Sequence, residues 1–145
     1  MSHEPPERRL RACGAILRGD TILMVQHCHD WGTYWTLPGG GVEASETPTQ
    51  AVIREVLEET GLSASPVRYL FTEEYDHIVC ECYLLTAPVA AEAILGSDPE
   101  EADLPAEQRM LKQVAWQPLE QVRDDAQVAK VLRALSHDLT DEGPA

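Results

Sequence analysis

Glu55, Glu58 and Glu59 fall at i, i+3 and i+4 in the run Arg54-Glu55-Val56-Leu57-Glu58-Glu59-Thr60, a spacing that crowds three carboxylates along one helix. Like charges so placed cost roughly 0.2–0.5 kcal/mol per pair. They also lie in the C-terminal half of the helix, where the dipole is already negative. A helix built for stability would carry Lys or Arg there. Arg54 alone supplies a positive charge, and one guanidinium cannot neutralise three carboxylates. A hard divalent cation can, because Mg²⁺ binds oxygen and favours carboxylates together with substrate phosphates and water. The competing reading is a solvated acidic face paired with lysines elsewhere. The helix by itself does not separate the two.

Local signals set that helix. Thr47 is a candidate N-cap, Pro48 falls at the first helical position, and Gln50 completes a capping box. Gly61 supplies the left-handed stop, so the helix is expected from about Pro48 to Thr60. Val52, Ile53, Val56 and Leu57 share an arc and are expected to face the core, with the three carboxylates on the other side. Ahead of the helix, Pro38 leads into Gly39-Gly40-Gly41, where successive glycines let the backbone approach a ligand closely. No Gly-Lys-Ser/Thr follows, so this is not a phosphate-cradling P-loop.

Gly40, Glu46, Arg54-Glu55-Val56, Glu58-Glu59 and Gly61-Leu62 together resemble the Nudix box, and every fixed position of that long, gapped pattern is matched. The resemblance is close over the box, is joined by the flanking strand signals, and holds only in outline over the last third. It implies an α/β fold, an α/β/α sandwich on a mixed central sheet. It implies a metal-dependent hydrolase that cleaves a nucleoside diphosphate linked to another group. Carried over residue by residue, Glu55, Glu58, Glu59 and the carbonyl of Gly39 would hold Mg²⁺, with Mn²⁺ an alternative, while Glu46 and Arg54 would brace the loop against the helix. The catalytic set would be Glu58, Glu59 and Arg54. In the family the general base is a box glutamate in some members and a later loop glutamate in others. Glu58 or Glu59 is the first choice here, with Glu100, Glu101 and Glu107 as loop candidates.

The composition is compatible with this chemistry. At 145 residues the chain is expected to form one domain, with residues 1–9 and 140–145 as flexible tails. A net charge of -14 argues against a nucleic acid polymer or an anionic membrane as partner. A small anionic nucleotide still binds if metal ions bridge the repulsion. No apolar run reaches transmembrane length and the first residues lack the apolar core of a signal peptide, so a cytoplasmic location is expected. Cys13, Cys28, Cys80 and Cys82 do not fit a zinc pattern and read as buried free thiols. Family members are often homodimers, which the resemblance extends to this chain as an expectation.

Strands should surround the box. Arg11 to Gln26 reads as a hairpin turning at Arg18-Gly19-Asp20, and His27 to Thr33 as a polar loop carrying Trp31. His27 and His29 would share a face if that stretch were a strand, but no further ligand pair follows, so they read as loop histidines. Tyr34 to Leu37, Val67 to Thr72, His77 to Ala87 and Lys112 to Gln117 are expected strands, residues 88–108 a loop, and 125–139 a closing amphipathic helix.

Substrate contacts are sought beside the glycines. Many relatives carry Arg after the second hairpin strand, and here Gln26 and His27 take that place. With Gly40 they are candidate substrate contacts, and Trp31 is the aromatic chosen to stack on a base. A nucleoside triphosphate or similar nucleotide is the default substrate. Two other readings stay open: a silent nucleotide-binding or regulatory module on the same fold, and isopentenyl diphosphate isomerase-like chemistry, which would need an active-site Cys and Glu.

Overall fold

A computed structural model describes residues 9–88, 91–96 and 111–141, the last stretch with side chains from 113 to 136. Strands β1 (Arg9–Arg18), β2 (Thr21–His29), β3 (Gly32–Thr36) and β4 (Gly39–Gly41) precede helix α1 (Pro48–Thr60). After it come β5 (Ser65–Tyr75), β6 (Ile78–Thr86), β7 (Leu111–Pro118), the short α2 (Leu119–Val122) and α3 (Ala126–Asp141). The seven strands form one mixed sheet around β1. β6 runs parallel to β1, with Arg9 opposite Ile78 and Cys13 opposite Cys82. The other edge of β1 is shared between two antiparallel partners: β4 takes Arg11 to Cys13, and β2 takes Leu17 and Arg18 at the hairpin turn. The two halves of the sheet therefore diverge, leaving the glycines of β4 beside the end of α1.

Alternation along β1 sorts the core into two layers. Ala12 and Ile16 pack with Leu23, Val52, Val56 and Leu85 on the α1 side. Cys13 and Ala15 pack with Ile22, Met24, Cys82, Val128 and Val131 on the α3 side. The chain is thus an α/β/α sandwich, as the sequence predicts. α3 starts where Asp125 accepts the amides of Gln127 and Val128, at 2.9 and 3.1 Å. Gln127 then reaches back to β3, its Oε1 accepting from Thr36 Oγ1 at 2.7 Å and Leu37 N at 3.1 Å.

Several boundaries differ from the sequence reading. His27 to Thr33 is no loop: β2 continues to His29, β3 begins at Gly32, and only Asp30 and Trp31 turn between them. The ladder to β3, joined by β7 as far as His27, outweighs the polar composition of the stretch. Arg9 is no tail residue, since its amide donates to the His77 carbonyl at 2.6 Å, and α3 carries on to Asp141. Among the described residues no helix is long and apolar enough to cross a membrane.

Candidate active site

α1 forms as its capping signals dictate. Thr47 and Gln50 exchange reciprocal bonds, Pro48 opens the first turn, and Gly61 closes the helix at φ 74. The last turn then receives an outside partner. Segment 91–96 crosses the helix end, where Ile94 N donates to Thr60 O at 2.7 Å and Gly96 N to Glu59 O at 2.8 Å. These bonds satisfy carbonyls that a helix terminus leaves orphaned. A Cβ at Gly96 would drive into the Glu58 carbonyl, so only glycine permits this approach. Arg18 ties the same segment down, donating to Ala91 O at 2.9 Å and Pro88 O at 3.1 Å while lying over the Trp116 ring.

The burial of α1 corrects two expectations. Leu57 is 50% exposed, whereas Glu59 is only 5% exposed. The helical wheel explains both: seven residues at about 100° each bring Glu59 back to within about 20° of Val52, while Leu57 stands about 140° away. Glu59 therefore points inward with the apolar stripe. Its burial is compensated by Gly39, whose amide donates to Oε1 at 2.8 Å, and by His27, whose Nε2 lies 3.5 Å from Oε2.

Glu55 and Glu58 stand beside it and share Arg54. The guanidinium Nη1 is 3.0 Å from Glu55 Oε1 and 3.3 Å from Glu58 Oε2. Its other nitrogens grip Glu46 at 2.6 and 3.1 Å and the Gly41 carbonyl at 3.0 Å. Glu46 Oε1 also accepts the Glu43 amide at 2.9 Å. Arg54 thus ties β4 and the loop after it to α1. The paired guanidinium holds the Glu46 carboxyl below its ordinary range, and Glu46 in turn raises Arg54 above its own.

Glu55 behaves in the opposite way. Burial, and then the charge of Glu59, push its carboxyl up from 4.5 to about 7 despite the pull of Arg54. Since the folded-state value is raised, the proton stabilises the fold in full below pH 4.5, and that contribution is lost as pH rises to about 7. In chelator, Glu55→Gln is therefore expected to gain stability relative to wild type between pH 5 and pH 8 (by urea denaturation). Parallel pH profiles would contradict the assignment.

β4 gives the carboxylates their access. A Cβ at Gly40 would press into the Glu55 carboxyl, 2.5 Å from Oε1 and 2.7 Å from Oε2. One added methyl group displaces that carboxylate by an ångström or more, a misplacement that can cost on the order of a hundredfold in rate. Gly40→Ala is expected to lose about that much turnover, with a cooperative melt retained. Wild-type kcat in the variant would show that Glu55 is not needed where it stands.

The donor set suits a hard cation, since carboxylate oxygens converge with too little positive charge to neutralise them. As they stand, no three such side chains among the described residues are gathered closely enough to hold a metal ion; the Arg54 guanidinium lies between Glu55 and Glu58. The other candidates divide. His27 reaches Glu59, and Gly39 and Gly40 border the cluster. Gln26 alternates to the opposite face of β2, so it and His27 cannot contact one ligand side by side. Trp31 is 76% exposed at the hairpin tip. Glu100, Glu101 and Glu107 lie outside the described residues. Sequence reasoning missed the Gly41 carbonyl, the clasp by Gly96, and the grouping of His29 and Tyr34 with His27. For the last, the two-residue spacing of the histidines was the available signal.

With this geometry in hand, the comparisons place the chain in a class: the NUDIX domain model matches residues 7–138. The chain belongs to the Nudix family. It is 44% identical over 61 residues to the NAD-capped RNA hydrolase NudC of Yersinia pestis strain Pestoides F, a match covering 42% of this chain and 24% of that protein. The corresponding protein of Photorhabdus laumondii is 40% identical over 60 residues, covering 41% and 23%. The match thus spans about a quarter of these relatives' length. Among solved structures, a MutT NUDIX hydrolase from Burkholderia pseudomallei superposes with TM-score 0.63 at 25% identity, covering 79% of this chain and 85% of that one. An ADP-ribose pyrophosphatase from Streptococcus suis 89-1591 gives 0.62 at 22% identity over 88% and 91%, which shows the shared fold.

Proposed function

We propose that the chain is a divalent-metal-dependent pyrophosphohydrolase that cleaves a nucleoside diphosphate linked to another group, by attack of water on phosphorus. The observation that carries this reading is the clustering of three carboxylates beside the glycines of β4, Glu55 and Glu58 sharing the single Arg54 guanidinium and Glu59 held next to them by Gly39 and His27. Mg²⁺, or Mn²⁺ in its place, would be held by the three glutamates and the Gly39 carbonyl, once Arg54 Nη1 withdraws. Bound there, the ion would neutralise phosphate oxygens, orient the anhydride and acidify water.

The residues divide the remaining work. Glu59 is fixed by Gly39 and His27 and serves as a rigid ligand. Glu58 is the more exposed of the two and is bonded only to Arg54 among the described contacts, so its carboxylate is free to accept the proton of the attacking water. The water oxygen bonds to phosphorus, the bridging P–O bond breaks, and the leaving phosphate departs with the bond pair. Arg54 keeps the glycine strand in register through Glu46 and Gly41 and so acts chiefly by positioning. Gly40 and His27 border the phosphates, with Trp31 further out.

The isomerase reading loses support from the sheet. Cys13, Cys80 and Cys82 pack on the α3 side, and Cys28 alternates away from His27, so no thiol faces the carboxylates. A silent binding module is the second reading, favoured by the Arg54 guanidinium that lies between Glu55 and Glu58. A phosphate-release screen with Mg²⁺ or Mn²⁺ decides between them. Its panel should hold nucleoside triphosphates together with ADP-ribose and NAD, since similar proteins include an NAD-capped RNA hydrolase and an ADP-ribose pyrophosphatase. Turnover abolished by chelator supports the proposal, and silence across the panel sinks it. A cytoplasmic site of action fits three buried free thiols, and homodimerisation is testable by sedimentation.

A further inference from the structure

Beyond the carboxylates, the β2–β3 hairpin carries a set of near-parallel rings that reaches from the carboxylate cluster to an exposed tip. Tyr34 stands opposite His27 in the ladder, and His29 follows two residues on, so all three project from the α1 side of the sheet. Trp31 folds onto them from the turn. The Trp31 ring lies 5.0 Å from His29 and 5.5 Å from Tyr34, tilted from them by only 6° and 7°. His29 and Tyr34 are 5.5 Å apart at 10°, and His27 joins at 5.9 Å from Tyr34 and 17°. A contact of 3.2 Å between His29 Nε2 and the Tyr34 hydroxyl fixes their orientation.

Exposure grades along the set. The His27 side chain is 22% exposed, Tyr34 is 38%, and Trp31 is 76%. Rings packed for stability are covered, and pairs of them are as readily edge-to-face as stacked. Here four rings are parallel and uncovered at one end. The inner end touches the carboxylate cluster, where His27 Nε2 meets Glu59 Oε2 at 3.5 Å. A ligand whose phosphates lie at the carboxylates would therefore carry its adjoining group along this surface.

We propose that the Trp31, His29 and Tyr34 rings form a nucleobase-stacking platform continuous with the carboxylate site, and that it selects purine over pyrimidine nucleotides. The continuity with the phosphate position rests on the function proposed above. Stacking accepts any base because every base has a flat π-face, and it strengthens with the overlapped area, which an indole offers most fully to a two-ring base. The rings are held in place beforehand, so little ordering remains to be done on binding.

The test is equilibrium binding of adenosine, AMP and cytidine to the whole chain, followed by tryptophan fluorescence and calorimetry. Adenosine has no phosphate, so its binding owes nothing to metal or carboxylates and is read whether or not the protein turns over any nucleotide. Adenosine and AMP should bind, cytidine several-fold more weakly. Trp31→Ala should weaken AMP roughly tenfold or more, and Trp31→Phe should recover most of the loss. The exposure of Trp31 makes both variants foldable, which near-UV circular dichroism would check. Equal binding of adenosine and cytidine, or AMP affinity unchanged in Trp31→Ala, would overturn the proposal. So would loss of self-association in Trp31→Ala without any adenosine binding, which would make the rings a protein contact instead. Adenosine binding without nucleotide hydrolysis would leave the platform standing and remove only the catalytic reading.

Discussion

Glu58→Gln is expected to lower kcat by about a thousandfold or more while leaving the metal-free fold as stable as wild type or slightly more so. The rate estimate follows from the several kcal/mol that a correctly held cation contributes to phosphoryl transfer, each 1.36 kcal/mol being about tenfold. The amide keeps the shape of the carboxylate but cannot accept a proton or carry the charge a divalent ion needs. The stability estimate follows from what Glu58 lacks in the fold. Its bonds to Arg54 are long, at 3.3 and 3.5 Å, and its charge sits one turn from Glu55 at the negative end of α1. Removing that charge relieves repulsion as much as it loses attraction. Steady-state kinetics and a thermal melt in chelator check both halves together. A metal-free melting temperature several degrees lower would show that Glu58 is structural.

Arg54→Ala is expected to do the reverse in chelator. It removes two bonds to Glu46, one to the Gly41 carbonyl, and the countercharge of Glu55 and Glu58. Hydrogen bonds to charged groups contribute about 1.5–3 kcal/mol, so the metal-free melting temperature should fall by roughly 5–10 °C. Added Mg²⁺ should then stabilise the variant more than wild type, because the ion no longer competes with the guanidinium for the same oxygens. Turnover should still drop on the order of a hundredfold, since β4 loses its tie to α1. Calorimetric melts with and without Mg²⁺ measure the difference. Equal metal-induced shifts in the two proteins would show that Arg54 and the ion do not share a position.

Much of this was legible in the sequence because it is local. Thr47, Pro48, Gln50 and Gly61 set both ends of α1 through bonds within one turn, and the structure places them as read. The α/β/α layering was expected from the Nudix resemblance, and the order of strands with one helix mid-chain and one at the end agrees with it. What failed was whatever depended on partners distant in the chain. β2 reaches His29 because β3 pairs with it to the end, β7 stopping at His27, and no pattern in residues 27–29 announces that neighbour. Glu59 was grouped with the outward carboxylates by charge, although its angle to Val52 turns it inward. Gly39 and His27, which make that burial tolerable, come from other elements. Gly96 carried no signal at all, since its role is set by the Glu58 carbonyl it touches.

The account stands on whether a divalent ion enters this cluster, and diffraction at the manganese edge addresses that directly. Crystals grown with Mn²⁺ and a non-hydrolysable nucleotide analogue should show an anomalous peak ligated by Glu55, Glu58, Glu59 and the Gly39 carbonyl, with Arg54 Nη1 moved aside. A fully occupied analogue with no peak there, and Arg54 still bridging Glu55 and Glu58, would contradict it.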